Sequence, residues 1–107
     1  MNNFKLKTKA SVGVTTVGIY TVPPLTTTTV LGITLANISG SGINATVGIA
    51  RTVADDVSII RNVPIPQGSS LEFMGGNKIV LEPDDQVTVK SDVLNSLDIS
   101  LSILEMS

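Results

Sequence analysis

A chain of 107 residues, 42% hydrophobic and 15% charged, has the size of one domain and can bury a core without covalent staples. It contains no Cys and no His, which excludes disulfides, thiolate metal sites, thiol nucleophiles and imidazole general bases. A formal net charge of −2 gives no basic field for neutralising phosphates, so nucleic-acid binding is not expected.

Val, Ile and Thr together make up 36 residues, and their branched Cβ atoms suit a pleated surface better than a helix. The first element pairs Phe4 and Leu6 with Lys5, Lys7 and Lys9 in strict alternation, which reads as a strand. No long apolar stretch follows these lysines, so the segment does not read as a secretory signal, and residues 1–15 are assigned as an N-terminal arm or edge strand. Around Tyr20, an extended backbone turns Ile19 and Thr21 the opposite way. Tyr20 then either stands at a surface or lies buried with its hydroxyl satisfied. Pro23-Pro24 marks a turn, and the Thr26 to Thr29 run leads into a strand in which Leu31, Ile33 and Leu35 alternate with Gly32, Thr34 and Ala36.

A turn at Ser39 to Gly42 precedes a strand carrying Val47, Ile49 and Arg51, and Val57 with Ile59 begin another. A turn is expected over Asn62 to Gly68, where Pro64 and Pro66 stiffen the connection. Leu71 and Phe73, Ile79 and Leu81, and Val87 and Val89 mark further strands, divided by Gly75-Gly76-Asn77 and Pro83-Asp84-Asp85. Ser91 to Leu97 has room for one short turn. The closing segment is the longest alternation: Leu97, Ile99, Leu101 and Ile103 form one apolar face and Asp98, Ser100 and Ser102 a polar one. No long window shows a helical period, and no apolar run approaches the roughly 20 residues that span a bilayer. The expected fold class is all-β: a single antiparallel β-sandwich or jelly-roll-like domain over residues 1–107, soluble and without a membrane partner.

Few residues offer chemistry. Glu82, Asp84 and Asp85 are the best candidates for a hard cation, but their spacing is not that of an EF-hand loop and Pro-Asp-Asp between strands is a β-turn sequence. Asp55 and Asp56 point to opposite faces when extended and read as a solvated loop. Without His, a Ser nucleophile would need Lys or a carboxylate as base, and nothing places Lys78 or Lys90 against a particular Ser. Gly75-Gly76-Asn77 and Ser39 to Gly42 lack the pattern of a phosphate loop and read as hairpins. No catalytic, metal or cofactor-binding residue is assigned, and the chain is read as a non-enzyme. Its low charge leaves a surface suited to permanent contact with neighbours or, alternatively, simply a small antiparallel domain.

Several segments carry a family resemblance: Ile19-Tyr20-Thr21-Val22-Pro23, Ala36-Asn37, Val63 to Leu71, Ile79-Val80-Leu81-Glu82, and Ile99 to Glu105. Together they resemble small virion structural proteins of marine and cyanobacterial tailed bacteriophages, with Pro24-Leu25 and Pro83-Asp84-Asp85 departing from that pattern at turns. The resemblance implies a β-sandwich located in the virion and used as an assembly block: a capsid decoration or cement protein, or a neck or tail component. The partners it implies are copies of itself and a larger capsid, neck or tail protein. The alternative is a fibre-associated recognition module that binds host-surface carbohydrate.

Overall fold

The computed structural model describes residues 2–52, 54–73 and 78–107. Among them the branched, alternating segments form nine strands and no helix: β1 (Asn2–Val12), β2 (Val17–Thr21), β3 (Thr27–Asn37), β4 (Ile43–Ala50), β5 (Val57–Ile65), β6 (Ser70–Phe73), β7 (Ile79–Leu81), β8 (Gln86–Ser91) and β9 (Leu97–Met106). They build two antiparallel sheets. The first runs β1-β9-β3-β6, with β7 also on β3, and the second runs β2-β8-β4-β5. The fold is therefore an all-β sandwich. Apart from the β4–β5 and β6–β7 connections, each step along the chain changes sheet, so strands distant in sequence become neighbours.

The two inner faces meet in one apolar cluster. The first sheet contributes Val30, Ile33, Leu35, Leu81, Leu97, Ile99, Leu101 and Ile103, and the second Ile43, Ala45, Val47, Ile49, Ile65, Val87 and Val89. Burying a side chain of this size stabilises by about 1.5–3 kcal/mol. β9 lies between β1 and β3, where Leu101 sits opposite Lys7 on one side and Ile33 on the other. Its alternation appears intact in the burial: Leu97, Ile99, Leu101 and Ile103 are buried, whereas Ser102 is exposed.

Elsewhere the ladder departs from simple alternation. In β3 the register shifts between Val30 and Gly32, so Val30 and Ile33 both face the core and Leu31 is left half-buried. A β-bulge adds one residue and reverses the inside–outside sequence beyond it. In β5 the strand continues through Asn62, Val63, Pro64 and Ile65, where a turn is expected from the prolines. Among the described residues β5 is an edge strand pairing with β4 alone, so the missing N–H of Pro64 costs no ladder bond on a second side. The chain reverses only after Ile65, with Ser69 N–H donating to Pro66 O and Gly68 at φ 73°. Gly75-Gly76-Asn77 lies outside the described residues.

Between β8 and β9, residues 92–96 form a non-helical turn. Ser91 and Ser96 are both buried with their hydroxyls 2.6 Å apart, and Ser96 Oγ donates to Val93 O.

Candidate functional site

The acidic segment after β7 is built as a turn. Pro83 fixes φ, Asp84 takes a left-handed conformation at φ 71°, and Asp85 N–H donates to Glu82 O at 3.1 Å. The buried Asp85 carboxylate accepts the Glu82 N–H through Oδ2 and pairs with Arg51 Nε through Oδ1, at 2.9 and 3.0 Å. Arg51 reaches Glu82 Oε1 with its other arm at 3.0 Å, while its backbone N–H donates to Asp56 Oδ1. The cation held by Glu82 and Asp85 is therefore the protein's own guanidinium, whose pKa is raised by the hydrogen bonds it donates to Asp85 and then to Glu82. Among the described residues no group of three or more acidic, His or Cys side chains could hold a metal ion. Arg51, expected on a strand, lies just past the end of β4, and its pairing role is not legible in the sequence because the two partners of its side chain lie more than thirty positions further along the chain.

Tyr20 is buried, and the reason it escapes the alternation is local. The β2–β8 register shifts between Gly18 and Tyr20, so consecutive Ile19 and Tyr20 both pack on the core. The Tyr20 hydroxyl donates to Glu105 Oε2 and lies 2.8 Å from Thr28 Oγ1. With its one proton committed to Glu105, Tyr20 accepts from Thr28. Burial, reinforced by the neighbouring Glu105 carboxylate, pushes the Tyr20 hydroxyl up to about 12. Glu105 follows Ile103 on the inner face of β9, and its side chain is only 8% exposed. Lys5 reaches Oε1 at 2.9 Å, and the Tyr20 hydroxyl, then Lys5, hold the Glu105 carboxyl below the usual range against the opposing effect of burial. Lys7 Nζ stands 6.0 Å from the Tyr20 ring centre.

These contacts orient β1. Its lysines Lys5 and Lys7 lie over the seam between the sheets, which turns Phe4 and Leu6 outward, where they are 76% and 64% exposed. Phe4 stands opposite Leu104, Leu104 opposite Thr29, and Thr29 opposite the exposed Val80. The row places an apolar patch on the outer face of the first sheet. Among the described residues β1 pairs only with β9, so its far side is a sheet edge.

The outer face of the second sheet carries a shallow groove of about 420 Å³, lined by Thr16, Thr46, Gly48, Arg61, Thr88 and Lys90 among others. Gly48 is required there, because a Cβ would come within 2.8 Å of Val57 O. Asp56 is the carboxylate in the lining, and its Oδ1 accepts the Arg51 N–H. Lys90 and Lys78 are exposed. The Ser39 to Gly42 turn is organised by Asn37, which donates to Ser41 O and Ile65 O and accepts from Ser39.

The fold defines an antiparallel β-sandwich. Solved structures share it over the whole chain. A chain from the Bacillus endospore appendages described as disulfide-linked pili matches with a TM-score of 0.60 and 13% identity, covering 100% of this chain and 87% of that one. A chain from the acid-stable capsid structure of Helicobacter pylori bacteriophage KHP30 matches with a TM-score of 0.62 and 10% identity, covering 100% and 99%. No protein-family model matches the chain, and no curated protein matches it in sequence.

Proposed function

We propose that this protein is a non-catalytic structural protein of a bacteriophage virion, an assembly block that contacts copies of itself and a larger capsid, neck or tail protein. The observation carrying the reading is the fold match along the full chain to a phage-capsid chain and a pilus chain, both from assembled particles by their descriptions. The strand orders β1-β9-β3-β6 and β2-β8-β4-β5 are read as jelly-roll wiring. Glu82 and Asp85, two of the three carboxylates considered for a cation, pair with Arg51, and the exposed side chains of Phe4, Leu6 and Val80 offer apolar area for a protein contact. Sedimentation velocity over a concentration series tests the reading: defined oligomers support it, and a single-chain species at every concentration refutes it.

A second reading rests on the groove beside Gly48. Arg61, Lys90 and the Thr hydroxyls around it could hold an acidic host-surface carbohydrate, as a fibre-associated recognition module would. Glycan binding by a single-chain species, lost on R61A, would favour this reading over assembly.

A further inference from the structure

We infer that segment 2–9 of β1 is an exchangeable strand, which in the assembled protein pairs with β9 of a neighbouring copy in the register it holds here within one chain. The inference deepens the assembly reading and rests on it.

Three features of β1 support exchange. First, none of its side chains from Asn2 to Lys9 is buried, and only Lys7 is even half-buried. The segment is held by its backbone ladder to β9, by the Lys5–Glu105 pair and by Lys7 over Tyr20. Elements with few buried apolar contacts open locally far more readily than the core. Second, a hinge lies at its end. The β1–β9 register breaks between Lys9 and Val12, and Ser11 there has φ 55°, a left-handed conformation costly for a residue other than glycine. Short strained connections favour exchange between copies, because opening them releases the strain.

Third, the chain is anchored immediately beyond the hinge. Val12 is buried, its carbonyl accepts the Ser96 N–H at 3.0 Å, and Gly13 O accepts the Ser91 N–H at 2.9 Å. Segment 2–9 can therefore leave while the sandwich behind it stays closed.

The surface uncovered specifies its occupant. Without the segment, β9 presents unpaired backbone groups along its edge, and the Glu105 carboxylate beside Tyr20 loses its cation. An extended strand of any sequence could satisfy the backbone, but the carboxylate needs a cation two residues in register from the Lys7–Leu101 pair. Segment 2–9 of a second copy meets both requirements, since it brings the same Lys5 to the same Glu105. Exchange then conserves the β1–β9 ladder and the Lys5–Glu105 pair of the closed chain and adds the contact between copies.

Leu6 and Ser102 are exposed register partners on β1 and β9, and the chain has no cysteine of its own, so L6C/S102C reports which copies are paired. The assembled variant is treated with a short bifunctional thiol reagent and run under denaturing conditions. We expect predominantly dimers and larger linked species. T8C/S100C, a second register pair of the same two strands, should give the same ladder. T34C/S100C, which joins β3 to β9 on the outer face of one sandwich, should stay a single-chain species. Single-chain products from both β1 pairs, in a sample that light scattering shows to be assembled, overturn exchange and leave assembly standing. Single chains in light scattering before any linking overturn both. A chain lacking residues 2–9 should keep its β-sheet circular dichroism and lose its oligomers; retained oligomers would count against exchange.

Discussion

Leu101→Ala probes the element on which the sandwich is built. Leu101 is fully buried on the central strand β9, between Lys7 of β1 and Ile33 of β3. Truncation removes most of the buried side chain and leaves a cavity that an interlocked sheet interior closes only in part, a change costing about 2–5 kcal/mol. With an unfolding entropy of about 2.1 cal/mol/K per residue over 107 residues, each kcal/mol lowers Tm by roughly 4 °C. Differential scanning calorimetry should therefore find Leu101→Ala melting about 10–20 °C below wild type. Ser102→Ala, one position along and exposed, should fall within about 0.5 kcal/mol, or roughly 2 °C. Equal losses from the two variants, or a Leu101→Ala shift under about 4 °C, would refute the assignment of β9's inner and outer faces.

Tyr20→Phe removes the hydroxyl that donates to Glu105 and should cost about 1.5–3 kcal/mol by urea titration at neutral pH; a loss near zero would show that the bond contributes nothing. Because the Glu105 carboxyl is held low in the folded state, its contribution is present above the unfolded glutamate value of about 4.3 and lost as pH falls through the lower folded value. Wild type should therefore lose stability on acidification more steeply than Glu105→Gln, and parallel pH profiles would contradict this. At the alkaline end, Tyr20 favours its neutral form in the fold, so its contribution fades as pH rises from about 10 to about 12, a decline absent in Tyr20→Phe. Asp85→Ala should destabilise by about 1–3 kcal/mol through loss of its bonds to Glu82 N–H and Arg51, whereas Asp84→Asn, which tolerates the left-handed backbone, should stay within about 0.5. Calcium should leave the Tm of both variants unchanged. Gly48→Ala drives a Cβ against Val57 O and should cost about 1–3 kcal/mol in the same thermal assay.

The strands were legible wherever both the period and the ladder were regular. Leu97 to Ile103 shows this best, because an inward face of four aliphatic residues permits one register. Irregularities were hidden. The bulge after Val30 moves Leu31 off the core face, and the one before Tyr20 lets Ile19 and Tyr20 point inward together; both depend on a partner strand that the local sequence does not identify. Pro64 suggested a turn because proline interrupts a ladder, yet an edge strand has a side where no bond is needed. The polar network was the least visible. Lys5 and Glu105 are one hundred positions apart, and Arg51 meets Asp85 because β4 pairs with β8, Ala50 opposite Gln86, which brings the start of one loop to the end of another. The Glu105 signal was present in outline: it continues the inner face of Leu97 to Ile103, where a carboxylate demands a partner.

The assembly claim is tested most directly by electron microscopy of the intact particle. The account predicts sandwiches of about 42 × 24 × 22 Å repeated at symmetry-related positions, with the outer face of β1 and Val80 against protein neighbours. Particles whose density accounts for every protein component without this sandwich would contradict it.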